Sequence, residues 1–156
     1  MSTTDKMELK IPPVVLWLLA GFLMWLSAKA LPQFSFGWPH QREIAFGLVS
    51  AGVLIALLGV ISFRRARTTV DPRYPANVSA LVTSGIYRVT RNPMYLGMLV
   101  TLAGWACWLG QFLSFVFLPL FIVLLNRLQI IPEERALAQI FGPGFAAYRT
   151  RVRRWI

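Results

Sequence analysis

The sequence predicts an all-α integral membrane protein with four transmembrane helices, a tight C-terminal helical hairpin and cytoplasmic amphipathic C-terminal helices. Three observations lead there. The 156 residues are 56% hydrophobic with a mean hydropathy of +0.59, too apolar for an ordinary soluble domain and short enough for one compact unit. The apolar residues fall into long runs separated by short polar joints. The formal charge of +10 is carried largely by arginines between and after those runs, as the positive-inside rule expects of cytoplasmic segments. Membrane topology therefore accounts for the charge better than a nucleic acid partner does.

The first span, about 14–31, follows Pro12-Pro13 and carries Lys29 near its far end, where the ammonium can snorkel to water. A cleaved signal peptide is the competing reading. The length of the run and the lack of a small-residue cleavage site before Pro32 argue against it. Gln33 to Glu43 form a turn-rich connection in which Trp38 suits an interface. The second span, about 44–63, is long enough to cross roughly 30 Å of hydrocarbon. Within it Gly52, Ala56 and Gly59 recur at helical spacing, a face that packs closely on a neighbour. Arg64, Arg65, Arg67 and Arg73 follow at once, together with Asp71-Pro72 and Pro75. Orientation toward the cytoplasm is reason enough for Arg64, Arg65 and Arg67.

The third span, 93–109, begins at Asn92-Pro93. That pair reads as N-cap then first helical position, because proline gives up an N–H that would have no partner there. Only Gly110-Gln111 separates it from the fourth span, 112–127, which makes an antiparallel hairpin. Gly97, Thr101 and Gly104 share one face and Pro119 can kink the fourth helix, so the hairpin is expected to pack closely below and open above. Pro132-Glu133-Glu134-Arg135 reads as a new helix, ended by Gly142-Pro143-Gly144. Beyond it, Phe145, Tyr148, Val152 and Trp155 alternate with Arg149, Arg151, Arg153 and Arg154, the pattern of a helix lying on an anionic membrane surface. Both termini and the segments 64–93 and 128–156 then fall on the cytoplasmic side of a single membrane domain, 1–156. The two polar segments can meet there.

Cys107 stands alone in an apolar run and His40 has no His or Cys neighbour, so there is no disulfide framework and no zinc or iron motif. Neither a Ser-His-Asp arrangement nor a nucleotide-binding glycine loop after a strand is present. Arg88 and Arg91 bring charge to a helix start whose N–H groups and dipole attract anions. The plainer reading is positive-inside charge beside an N-cap. Glu133 and Glu134 are the one adjacent pair among six acidic residues. They either bind a cationic or polyhydroxyl ligand, or offset the helix dipole with Arg135 or Arg127 neutralising them. Tyr87 and Tyr95 are by default interfacial aromatics.

The segments Leu81-Val82-Thr83-Ser84-Gly85-Ile86-Tyr87-Arg88, Arg91-Asn92-Pro93-Met94-Tyr95-Leu96-Gly97, Glu133-Glu134-Arg135-Ala136-Leu137 and Phe141-Gly142 up to Tyr148 carry a resemblance. They resemble the integral-membrane methyltransferases of the isoprenylcysteine carboxyl methyltransferase and phospholipid methyltransferase superfamily, of bacterial type. The match runs from about Thr68 onward in the family's order and spacing. The family's Arg-His-Pro-x-Tyr-x-Gly signature falls on Arg91, Asn92, Pro93, Tyr95 and Gly97, and its Glu-Glu pair on Glu133 and Glu134. Asn92 stands where many members carry His, which removes an imidazole as a titrating base.

The resemblance implies S-adenosylmethionine bound at the cytoplasmic end of the last helices, in a bacterial inner membrane. Tyr87, Arg91, Asn92, Pro93, Tyr95, Leu96, Gly97, Glu133 and Glu134 would bind it, with Arg91, Asn92 and Glu134 at the chemistry. The cofactor's carboxylate suits Arg91 and the helix start, and its ammonium and ribose hydroxyls suit a carboxylate such as Glu134. Transfer from a sulfonium needs alignment and exclusion of water rather than a triad. The acceptor would be the carboxylate, amine or thiol of a lipophilic small molecule or lipid reaching the site from the lipid bilayer. Two alternatives stand beside this reading: an NADPH-dependent membrane reductase similar to the sterol reductases in its C-terminal helices, and a non-enzymatic membrane scaffold. The oligomeric state is open.

Overall fold

The structure is a computed structural model that describes residues 11–66 and 80–156. The readings made on residues 1–10 and on Arg67, Asp71, Pro72, Arg73 and Pro75 lie outside the described residues. Helices α1 (Pro13–Ala30), α2 (Gln41–Arg65), α3 (Pro93–Leu109), α4 (Phe112–Leu125) and α5 (Ile131–Arg151) carry the fold. Short 3-10 turns occupy Pro32–Phe34 and Gly85–Arg88, and a π turn occupies Asn126–Ile130. Among the described residues, Pro13–Ala30, Gln41–Arg65 and Phe112–Arg151 are long and apolar enough to cross a membrane, the last joining α4, the π turn and α5. Helix α3 is apolar and shorter. Large apolar side chains such as Phe22, Phe46, Leu54 and Val116 point outward, as lipid-facing residues do.

Helix α3 is the axis on which the others are placed. Trp17 Nε1 donates to Thr101 Oγ1 at 2.9 Å and Trp105 Nε1 to the Gly21 carbonyl at 3.0 Å, so α1 runs parallel to α3. Helix α2 runs antiparallel to it, with Gly59 against Pro93 and Met94, Gly52 against Gly97 and Thr101, and Gly104 against Ala45 and Val49. A β-carbon on Gly52 would lie 2.7 Å from the Gly97 carbonyl oxygen, and one on Gly104 2.9 Å from that of Ala45. Glycine is required where two helix backbones come this close. The small face of α3 therefore serves α2, not the α3–α4 hairpin as its spacing had suggested. The physical reason is complementarity: α2 offers Gly52, Ala56 and Gly59, whereas α4 offers mainly Phe, Leu, Ile and Val.

At the hairpin Gly110 takes a left-handed conformation (φ 56°) and Gln111 caps α4, its Oε1 accepting from the Ser114 N–H at 2.9 Å. The opposite turn departs from the sequence reading. A new helix was expected at Pro132, yet the chain stays helical from α4 into α5. The Ile131 N–H donates to the Asn126 carbonyl, five residues back, immediately before Pro132. The widened turn gives room to a proline ring that would otherwise strike the carbonyl four residues behind it. Gly142 (φ 46°, ψ −120°) interrupts α5 at the position where glycine was expected to end it.

The C-terminal segment is also corrected. Phe145, Tyr148 and Val152 are buried against Leu81, Leu137 and Phe141, and Trp155 packs on the main core. The apolar face that read as membrane-seeking has a partner inside the protein.

The α2–α3 contact is testable. Gly52→Leu should wedge the helices apart at a cost of about 1–3 kcal/mol and lower the melting temperature in detergent. Gly47→Leu, where a β-carbon would meet nothing within 4 Å among the described residues, should leave it unchanged. Equal melting of the two variants would contradict the close approach.

Candidate functional site

The helix directions bring the start of α1, the end of α2, the start of α3 and the end of α4 to one end of the molecule. Arg64, Arg65, Arg88 and Arg91 are all at that end. Pro93 takes the first turn of α3, as its missing N–H predicts. Asn92 holds the N-cap position, but its side chain makes no cap bond. Its Nδ2 donates instead to the Arg154 carbonyl at 2.9 Å. That oxygen also accepts from Thr90 Oγ1 at 3.3 Å, and the Arg91 N–H donates to the Arg153 carbonyl at 3.0 Å. The residues after Val152 thus run back alongside Thr90–Asn92.

Over this entrance lies Glu134, in the first turn of α5. Arg154 grips it with a two-point fork, Nε to Oε1 at 3.1 Å and Nη2 to Oε2 at 2.7 Å. Arg91 meets it once, Nη2 to Oε1 at 3.0 Å. The side chains of Arg91 and Glu134 are 10% and 11% exposed and that of Arg154 is 31% exposed. Arg91 Nε and Nη1 are buried and find no partner among the described residues. Burial lowers the pKa of the Arg91 guanidinium; Glu134 raises it again, while Arg149 and Arg154 push it down. Buried N–H donors on a cation are costly unless an anion or acceptor meets them.

Glu133 adjoins this cluster and accepts a hydrogen bond from the Tyr95 hydroxyl. Burial pushes its carboxyl up to about 7; the Tyr95 bond pulls it down and the Glu134 charge pushes it up. Tyr95 is buried in the main core. Tyr87 is buried too, its ring edge-on to Phe63 at 5.3 Å and its carbonyl accepting from the Tyr148 hydroxyl at 2.7 Å. Neither is the interfacial aromatic that position in the chain suggested, because both rings are buried inside the protein and the Tyr95 hydroxyl is bonded to Glu133. Leu96 is buried, and Gly97 faces α2 rather than the charged cluster.

The structure thus joins Arg91, Asn92, Tyr95, Glu133 and Glu134 at one helix entrance, with Tyr87 and Pro93 beside it. Sequence reasoning missed Thr90 and Arg154. Nothing in the sequence sets Arg154 apart from Arg149, Arg151 and Arg153. Its placement depends on the return path of the tail, fixed in part by Trp155 Nε1 donating to Asn126 Oδ1 at 3.3 Å. Elsewhere, Cys107 is buried and His40 is exposed at the start of α2, 3.9 Å from Glu43. No group of three or more His, Cys, Asp or Glu is placed to hold a metal among the described residues.

The Glu133 environment has a pH consequence. A carboxyl whose folded-state pKa is raised binds its proton more readily in the folded protein. Its contribution to stability is therefore full below the unfolded value of 4.5 and is lost as pH rises through about 7. The melting temperature should fall between pH values on either side of that window, and Glu133→Gln, neutral throughout, should flatten the fall. Identical slopes in the two proteins would contradict the buried placement.

The family model described as phospholipid methyltransferase matches residues 41–144. An uncharacterized protein of Haemophilus influenzae is 40% identical over 63 residues, which are 40% of this chain and 100% of that one. A protein-S-isoprenylcysteine O-methyltransferase of Schizosaccharomyces pombe is 35% identical over 72 residues, 46% of this chain and 30% of the relative. A probable protein-S-isoprenylcysteine O-methyltransferase of Oryza sativa subsp. indica is 31% identical over 126 residues, 81% of this chain. The chain spans 65% of that relative's length. No solved structure gives a significant match. With two thirds of its length under one family model, the chain belongs to the phospholipid methyltransferase family, in the superfamily it shares with the isoprenylcysteine carboxyl methyltransferases.

Proposed function

We propose that the protein transfers a methyl group from S-adenosylmethionine to a lipophilic acceptor, the carboxylate, amine or thiol of a small molecule or lipid held in the bilayer. The observation that carries this reading is Arg91, a buried cation whose Nε and Nη1 find no partner among the described residues, at the entrance of α3 beside two carboxyl groups. Family membership supplies the reaction class.

The residues present fit the cofactor. Unpartnered guanidinium donors call for a carboxylate, which the amino-acid end of the cofactor carries. Glu133, whose partner is the neutral Tyr95 hydroxyl, is the acid better placed to take its ammonium or ribose hydroxyls. Tyr87, Asn92 and Pro93 shape the entrance around them, and Leu96 and Gly97 set it from further along α3, Gly97 through its contact with α2. When bound, the cofactor supplies an electrophilic methyl on a sulfonium whose leaving group is already activated. Arg91 and Glu133 bind and orient; Glu134 holds Arg91 in place; the apolar surroundings of Tyr95 keep water out. Asn92 offers no titrating group, so the work at this position is alignment.

Helices α1 to α4 each cross the bilayer in this reading, and the whole chain, 1–156, forms one membrane domain. Arg64, Arg65 and Arg88 lie at the site end and Lys29 and Arg42 at the other, and the denser cationic end is cytoplasmic by the positive-inside rule. Both termini and the segments 64–93 and 128–156 then face the cytoplasm of a bacterial inner membrane.

The test is to incubate membranes holding the protein with methyl-labelled S-adenosylmethionine and follow the label. It should enter a lipid-extractable product, and Arg91→Met should reduce this roughly tenfold or more, matching the 1.5–3 kcal/mol or so of a charge-assisted hydrogen bond. Saturable binding of NADPH without binding of S-adenosylmethionine would favour a reductase, and binding of neither would favour a scaffold.

A further inference from the structure

We infer that Arg154 is a positioning residue for the methyl donor: by clamping Glu134 it keeps Arg91 Nε and Nη1 free to bind the donor's carboxylate. The inference rests on the donor reading above and concerns a residue outside the family signature. Guanidinium and carboxylate groups prefer the two-point fork. Two guanidiniums compete for Glu134, and Arg154 has the fork, at 3.1 Å and 2.7 Å, while Arg91 has one contact at 3.0 Å. One carboxylate shared by two guanidiniums leaves a positive charge unmatched, and the N–H groups without a partner among the described residues are on Arg91, the more buried cation.

The backbone that launches Arg154 is fixed independently of its side chain. The Arg154 carbonyl accepts from Asn92 Nδ2 and Thr90 Oγ1, the Arg153 carbonyl accepts from the Arg91 N–H, and Trp155 is anchored on Asn126. The tail therefore delivers its guanidinium to Glu134, where it takes the fork and leaves Arg91 a single contact. Without that guanidinium, Glu134 has Arg91 as its strongest remaining partner. Arg91 then closes its own fork on Glu134, and the donors that an incoming carboxylate needs are spent.

The experiment measures equilibrium binding of two ligands to the purified full-length protein. S-adenosylhomocysteine carries the carboxylate and methylthioadenosine lacks it. Arg154→Met should weaken S-adenosylhomocysteine binding about tenfold and leave methylthioadenosine unchanged. Adding Glu134→Gln to Arg154→Met should recover part of the loss, because an amide keeps one acceptor oxygen to hold Arg91 but cannot close a carboxylate fork on it. Arg154→Lys keeps the charge without the fork; it should show a smaller selective loss and serves if Arg154→Met does not fold. Equal weakening of both ligands, or no change in either with any Arg154 variant, overturns the inference while leaving the donor reading standing. Failure of wild-type protein to bind S-adenosylhomocysteine overturns both.

Discussion

A carboxylate taken out of water has to be paired, and Glu134 is paired from two directions. Arg91 comes from the entrance of α3 and Arg154 from the returning tail, so one buried anion ties together three segments far apart in the chain. Breaking such a buried pair typically costs about 3–5 kcal/mol, against about 0–1 kcal/mol for an exposed one. The Arg91 side of the cluster is the buried side; Arg154, nearly a third exposed, holds more by geometry than by energy. What this constraint secures is the position of α5 over the entrance of α3, and with it the meeting of the two polar segments.

The rest of the molecule keeps that entrance in place. Glycine contacts along α2 and α3 let the two backbones touch, while Trp17 and Trp105 bind α3 to α1. The π turn at Asn126–Ile130 carries the chain past Pro132 without a break, so the acids of α5 stay in register with the helix that precedes them. Irregular turns of this kind recur at functional sites. Here the turn links a lipid-facing helix to the residues that gather charge at its end.

The apolar helices were legible because long apolar runs admit few alternatives, and α3 occupies 93–109 as read from Asn92-Pro93 and Gly110. The proximity of Arg91 to Glu133 and Glu134 was legible from topology, since the α3–α4 hairpin returns the chain to the end from which it set out. Three features were not. The Asn92 amide was expected to cap α3, but it is a non-local carbonyl on Arg154 that engages it. The small face of α3 could have served either neighbour, and only the glycines of α2 in three dimensions decide it. The tail read as a membrane-surface helix because its apolar residues are spaced that way, while one partner, Leu81, lies outside any local window and the others, Leu137 and Phe141, stand across the interruption at Gly142.

The account turns on Arg91 as the anchor of a methyl donor, and the most direct measurement is an experimental structure of the protein with S-adenosylhomocysteine bound. It should place the ligand carboxylate within hydrogen-bond distance of Arg91 Nε and Nη1, with Glu134 still held by Arg154. A nucleoside bound at the opposite end of the helices, or a carboxylate distant from an Arg91 folded fully onto Glu134, would contradict it.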